Sequence, residues 1–297
     1  WLACRSKGGS LVLRMEDIDP DRSRAEYADA IIRDLRWLGL DWDEGPDAGG
    51  PAGPYVQSAR MGLYADALNR LDRAGHIYPC YCTRKELRTL AGAPHVGDAG
   101  AAYPGTCRNL PPERRAELEA AGRRPCIRCP SQNYAFEDAV FGPFSMTLEA
   151  CGGDFALRRS DGVIAYQLAV VVDDGLMGIT QVVRGEDLLV STPRQLALFD
   201  LLGYPRPAYM HLPLLCDPEG ERLAKRHASL TLASLRDAGV SPAAVAGYLG
   251  WKAGLIGALA PAHPRNLLPA FDPGRLRFLP ERVLVEADLT ALLSVVC

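Results

Sequence analysis

Aromatic residues make up only 7% of this 297-residue chain, and no apolar run approaches the length needed to cross a bilayer. A span needs roughly 18 uninterrupted apolar residues, and runs such as Ala169 to Val172 end within a few positions, which excludes a membrane-spanning helix. An excess of one charge is missing too. Thirty-three Lys and Arg against 36 Asp and Glu leave a formal net charge of −3 and a pI near 6.0. RNA binding by bulk positive charge is thereby excluded, so any nucleic-acid contact has to come from a local patch. The chain also lacks a charged-then-apolar opening, and nine cysteines is an odd number for a secreted disulfide framework. A reduced, cytoplasmic setting is expected, in which cysteines bind metal or fill core. What is present, 48% hydrophobic and 23% charged residues, is the composition of a globular protein of one large or two modest domains.

Trp1 to Cys4 read as the last turn of a helix stopped by Gly8 and Gly9, so the natural protein is expected to start upstream. Leu11 to Glu16 reads as a buried strand, followed by a loop at Asp17-Ile18-Asp19-Pro20. A helix is predicted over about 24 to 38, with Ala28, Ile31, Ile32, Leu35 and Leu38 at helical spacing and Gly39 as its stop. Residues 39 to 57 form a long loop. A second helix is predicted from Ser58 as N-cap to Gly75, burying Tyr64, Ala67, Leu68, Leu71 and Ala74. Thr83 to Glu86 has the form of a capping box, and a polar helix is expected at about 112 to 121 before Gly122. Tyr166 to Val172 reads as core, turned by Asp173-Asp174-Gly175. Ile179 to Val183 reads as a strand with Arg184 at its carboxyl end, where open α/β sheets place ligands. Pro193 suits the first turn of a further helix closed by Gly203, and His211 to Leu215 is a short strand. Alternating strands and helices indicate an α/β protein.

Four sets of residues carry chemistry. Glu16 can hold a substrate ammonium at a strand end, although such acids more often form a solvated turn. Arg184 can clamp a carboxylate or phosphate through its fork, or pair with Glu186 or Asp187. Lys225, between Arg222 and Arg226, can meet developing phosphate charge, or belong to a solvated basic loop. Cys80 and Cys82 suit Zn²⁺ as thiolates but need partners. Cys126 and Cys129 satisfy spacing, yet Pro125 to Pro130 looks extended, and positions three apart on a strand face opposite ways. Tyr103 with Cys107, around a Pro-Gly turn, is the other option. Cys4, Cys151, Cys216 and Cys297 read as structural. Six arginines between Arg108 and Arg128, against Glu113, Glu117 and Glu119, form the most basic local segment.

Together, Leu13-Arg14-Met15-Glu16-Asp17-Ile18-Asp19, Trp37 to Pro46, Gln57-Ser58-Ala59-Arg60 and Val182 to Asp187 resemble the catalytic domain of the glutamyl-tRNA synthetases, in order from residue 11 to about 250. The resemblance implies a class I synthetase with a Rossmann-type nucleotide-binding fold, an inserted zinc-bearing acceptor-end-like domain and a short helical C-terminal segment. It divides the chain into 1–75 and 161–226 as the two parts of the catalytic domain, 76–160 as the insert and 227–297 as the closing segment. Cys80-Tyr81-Cys82 with Tyr103 and Cys107, the run Tyr166 to Asp174 and the short C-terminal part bring it nearest the short members that lack an anticodon-binding domain.

That closer resemblance implies activation of L-glutamate by ATP with Mg²⁺, and transfer of glutamate to queuosine in the anticodon of tRNA(Asp) by a monomer. It implies Glu16, Tyr166 and Arg184 around glutamate, Lys225 as the catalytic lysine on ATP, and Cys80, Cys82, Tyr103 and Cys107 on one structural Zn²⁺. The family's Lys-Met-Ser-Lys-Ser signature appears as Arg222 to Arg226, with Ala224 in place of serine and Arg222 in place of the first lysine. The first, His-containing ATP signature would precede Trp1, and low activation activity is expected of the chain as it stands. Two other readings remain at this stage: a glutamyl-tRNA synthetase cut at both ends, and a non-catalytic zinc-bearing RNA-binding module.

Overall fold

The computed structural model describes residues 1–83, 85–87, 103–147, 152–223, 231–280, 282–286 and 289–294. In chain order the elements used below are α1 (Leu2–Arg5), α2 (Ala25–Trp37), α3 (Met61–Arg73), β1 (Tyr78–Cys80), α4 (Pro112–Ala120), β2 (Cys126–Cys129), β3 (Tyr134–Asp138), β4 (Gly142–Met146) and β5 (Phe155–Arg158). They continue with α5 (Tyr166–Leu176), β6 (Gln181–Gly185), α6 (Thr192–Leu202), β7 (Ala208–Leu212), β8 (Leu214–Cys216), α7 (Leu232–Asp237), α8 (Pro242–Lys252), β9 (Arg282–Leu284) and α9 (Leu289–Ser294).

A four-stranded sheet runs β4-β3-β7-β6. The β6–α6–β7 unit is a parallel crossover in the register Gln181↔Ala208 to Gly185↔Leu212, while β3 joins β7 in parallel through Asp138↔Tyr209 and pairs with β4 antiparallel. Strands β6 and β7 thus end together at Gly185 and Leu212, the end of a parallel pair at which ligands collect, while β3 ends beside Tyr209 near the start of β7. An antiparallel sheet β1-β2-β5 carries the cysteine region, and β8 pairs with β9. The strands β3 and β4, which the sequence places inside the 76–160 insert, therefore hydrogen-bond into the sheet of β6 and β7.

The main core joins α3, α5 and α6 to β2 and β5 through Tyr64, Leu68, Leu157, Leu168, Val172 and Phe199. A second core gathers Leu38, Leu235, Val245, Tyr248, Leu289 and Leu293 around the C-terminal helices. Gly203 ends α6 at φ 68° and Gly39 follows α2 at φ 76°, a left-handed conformation that glycine adopts without steric cost.

The structure departs from the sequence reading in five places. Leu11 to Glu16 is extended but forms only isolated bridges, Val12 to Glu44 and Met15 to Val56, because its backbone partners lie in a loop with no continuous strand. Tyr166 to Leu176 is one helix, so Asp173 and Asp174 continue it, and buried partners described below satisfy their carboxylates. Ser58 is not a helix N-cap: Gln57–Arg60 is a 3-10 turn, and Asp17 accepts from both the Ser58 amide and its hydroxyl. The apolar face of α2 is only partly covered, with Ile31 46% exposed and no residue of the helix buried. Ala74 is likewise exposed.

The Thr83–Glu86 capping box is present in both directions. Five of the six arginines from Arg108 to Arg128 bind within the chain: Arg108 on Asp154, Arg114 on Glu117, Arg115 on the Leu110 carbonyl, Arg123 on Glu86 and Arg128 on the Asp154 carbonyl. Most of that basic segment is thus paired within the chain, with Arg108, Arg114 and Arg123 still partly exposed. Among the described residues no helix is long and apolar enough to cross a membrane.

Candidate active site and thiol cluster

A cleft of about 770 Å³ opens between the extended segment Leu11 to Glu16, helix α5 and strand β6. Glu16, Tyr166 and Arg184 all line it, together with Arg14, Glu44 and Asp174. The sequence-predicted glutamate residues are therefore brought to one cavity from three separate stretches of chain. Lys225 lies outside the described residues.

Each of the three is held differently. Glu16 is the more exposed partner of an ion pair with Arg14 at 3.2 Å. Arg14 in turn bonds Asp174 at 2.8 Å and lies 3.5 Å from Asp173. Burial opposes the Arg14 charge, but Asp174, Glu16 and Asp173 outweigh it and keep the guanidinium firmly protonated. Burial pushes the Asp174 carboxyl above the usual carboxylate range, against the pull of Arg14. Tyr166 opens α5 with Ala165 as its extended N-cap; burial raises its phenol, opposed by Arg184. Arg184 donates from Nε to His211 Nε2 at 3.0 Å and from Nη2 to Thr192 Oγ1 at 2.9 Å and the Leu188 carbonyl at 3.3 Å. Its guanidinium lies over the Tyr209 ring, 5.2 Å from the centroid. A carboxylate and a fixed guanidinium thus face one cavity, an arrangement suited to the two ends of an amino acid.

Beneath the cleft Asp173 is fully buried and accepts from Arg60 Nε at 2.6 Å, Gln57 Nε2 at 2.8 Å and the Tyr64 hydroxyl at 3.0 Å. Arg60, itself 2% exposed, also donates to the Pro54 carbonyl. The sequence reading missed Arg14, Asp173 and Asp174 as site-building residues. The available signal was the pair of acids inside an apolar run, which fits a helix as well as a turn.

The cysteines form a second center. Ligand atoms of Cys80, Cys82 and Cys107 lie within 4.8 Å of one another. The Tyr103 hydroxyl is 3.3 Å from Cys80 Sγ and 3.8 Å from Cys82 Sγ, and Cys82 Sγ is 3.6 Å from Cys107 Sγ. The Tyr103 hydroxyl also accepts from the Cys107 amide. Burial disfavors the Cys80 thiolate, but the Tyr103 hydroxyl, the Cys82 amide and Arg128 outweigh it and hold this thiol below its ordinary value. Burial and the neighboring Cys80 push Cys82 up to about 12, and burial likewise raises Tyr103. Arg128 lies over the Tyr103 ring at 4.1 Å. Cys126 and Cys129 stand on β2, with Cys129 in the main core, so the spacing-based alternative is not assembled. Cys216 is buried and Cys4 partly so, while Cys151 and Cys297 lie outside the described residues.

A cleft that runs along β6 and carries Glu16, Arg14, Asp174 and Arg184 on its walls thus belongs to a mixed α/β domain. Residues 1–255 match the family described as "tRNA synthetases class I (E and Q), catalytic domain". Among curated proteins the chain is 61% identical to a glutamyl-Q tRNA(Asp) synthetase of Nitratidesulfovibrio vulgaris, over 97% of this chain and 89% of the relative. It is 41% identical to a glutamate--tRNA ligase of Sulfurihydrogenibium sp., over 84% of this chain and 53% of that protein. A crystal structure of glutamate-tRNA synthetase from Elizabethkingia anophelis superposes with a TM-score of 0.79 at 25% identity, covering 99% of this chain and 64% of that one. The chain belongs to the class I tRNA synthetases of the E and Q group, and it is a ligase of that family.

Proposed function

We propose that the protein activates L-glutamate with ATP and transfers it to queuosine in the anticodon of tRNA(Asp). The observation that carries this reading is the convergence of Glu16, Tyr166 and Arg184 on one cleft, in a chain so similar along its length to a glutamyl-Q tRNA(Asp) synthetase. Glu16 faces the substrate ammonium and Arg184 a carboxylate. The glutamate α-carboxylate attacks the α-phosphorus of ATP, pyrophosphate leaves, and glutamyl adenylate forms. A hydroxyl of the queuosine cyclopentene-diol then attacks the acyl carbonyl, losing its proton as AMP departs. Positioning supplies most of the catalysis, aided by cations such as Lys225, and Mg²⁺ accompanies the nucleotide. The parallel β6–α6–β7 crossover supports a Rossmann-type nucleotide fold around residues 1–75 and 161–226.

The donor set of Cys80, Cys82, Cys107 and Tyr103 fits one structural Zn²⁺, since three thiols and a phenol oxygen already converge before any ion is considered. Tyrosine replaces the usual fourth thiolate or imidazole.

Labeled glutamate offered with ATP to tRNA(Asp) with and without queuosine, and to tRNA(Glu), tests the reading. Queuosine-dependent labeling of tRNA(Asp) is the expected result. Labeling of tRNA(Glu) instead would make the protein an ordinary glutamyl-tRNA synthetase, and labeling of neither would favor a non-catalytic RNA-binding module.

A further inference from the structure

His211 is completely buried at the penultimate position of β7, directly opposite Arg184 on β6. Its two ring nitrogens have different partners. Nδ1 lies 2.6 Å from Asp138 Oδ2, and Nε2 lies 3.0 Å from Arg184 Nε and 3.4 Å from Thr192 Oγ1. An arginine Nε–H can only donate, so His211 Nε2 is the acceptor and the ring proton sits on Nδ1, donated to Asp138. Asp138 is equally buried, and every contact on it is a donor: the amides of Val140, Phe141 and His211 as well as the imidazole. This chain of bonds has one consistent proton arrangement, carboxylate to imidazole to guanidinium.

We propose that His211, oriented by Asp138, is a positioning residue that aims Arg184 at the substrate carboxylate. The inference rests on the reading of Arg184 as a glutamate ligand. A guanidinium at the end of a flexible stem samples many rotamers, and ordering it costs free energy at the moment of binding. Here that ordering is built in. Nε is held by His211, Nη2 by Thr192 and the Leu188 carbonyl, and Tyr209 lies beneath the plane. These bonds fix Nε and Nη2, and the guanidinium also interacts with the Tyr166 phenol, another residue that lines the cleft. Tyr209 and His211 are themselves stacked, 13° between planes, so one packed pair of rings supports the guanidinium by both face and edge. A pair that only tied β3 to β7 would need Asp138 and the His211 amide; the bond from Nε2 to a cleft-lining arginine is what such a role leaves unexplained.

Kinetics of glutamate activation in four variants test the inference. His211→Leu removes the acceptor and is expected to raise the KM for glutamate on the order of ten- to hundredfold, as losing a hydrogen bond to a charged group does. Its kcat and its KM for ATP should stay within about threefold of the wild type, because the reacting phosphate is not contacted. In His211→Gln the side-chain carbonyl can accept from Arg184 Nε, and most of the glutamate KM should be restored. An unchanged glutamate KM in His211→Leu, or equal impairment of the Leu and Gln variants, would overturn the proposal. Should His211→Leu fail to fold, Thr192→Val takes its place: it removes one of the two Nη2 acceptors together with the hydroxyl beside His211 Nε2, and a glutamate KM raised about three- to tenfold is expected. No change there overturns the proposal as well. Arg184→Gln separates the two levels of the argument. If it leaves the glutamate KM intact, the glutamate reading itself fails; a large effect of Arg184→Gln beside silent His211→Leu and Thr192→Val variants would sink the positioning role alone.

Discussion

Asp173 shows how much a single side chain can organize. With no exposed surface, it accepts from Arg60, Gln57 and Tyr64 and lies beside Arg14, tying the turn at Gln57–Arg60, helix α3 and the cleft-forming segment to α5. Desolvating a carboxylate is costly, and here the cost is offset only because three donors and two guanidinium charges surround it. Removing one partner of a buried pair leaves the other uncompensated. Asp173→Ala should therefore lower the unfolding free energy in urea by about 3–5 kcal/mol. Glu117→Ala, in the exposed pair with Arg114 on α4, should change it by no more than about 0.5 kcal/mol. Equal effects would mean that burial of Asp173 has no energetic consequence. Glu16, Arg184 and the thiol cluster were legible as residues because their types and neighborhoods match a chemistry. Arg14, Asp173 and His211 were not, since their importance comes from partners as far as 160 positions away.

Among the elements, α5 separates local from tertiary information most clearly. Its sequence, Tyr166 to Leu176, combines β-branched valines with Asp-Asp-Gly, which locally favors a strand and a turn. Burial of Leu168 to Asp174 against α3, α6 and β5 overrides both preferences. Helices whose ends carry glycine were read more accurately, because a left-handed terminus is a local property. Glycines inside helices divide by surroundings that sequence does not show. A Cβ on Gly247 in α8 would lie 1.9 Å from the Ala260 carbonyl oxygen, whereas Gly62 in α3 has nothing within 4 Å. Gly247→Ala should destabilize by about 1–3 kcal/mol through overpacking despite its better helix propensity. Gly62→Ala should stabilize by about 0.5–1 kcal/mol. Thermal melts of the two variants check both signs.

At the scale of the whole molecule, the sheet β1-β2-β5 is joined to the rest through the main core, while its outer edge carries Cys80, Cys82, Tyr103 and Cys107 around Tyr78. That outer cluster is small, and small apolar clusters are commonly reinforced by metal. Treatment with a chelator should release about one zinc per chain. It should also raise hydrogen exchange around Tyr78 to Cys82 and Cys107 to Leu110, leaving α6 and β7 protected. Absence of zinc in the purified protein, or exchange unchanged by chelation, would argue against the metal role.

The amino-acid sequence alone determined the α/β class, most helix ends, the family resemblance and the residue types at both centers, because these depend on periodicity, turn chemistry and short motifs. Only the tertiary structure decided that Tyr166 to Leu176 is a helix and that β3 and β4 join the sheet of β6 and β7; spacing left Cys129 open beside Cys107, and the fold brings Cys107 to Cys80 and Cys82 as the resemblance implied. Those outcomes depend on burial and on hydrogen bonds between residues distant in sequence, which no local pattern encodes.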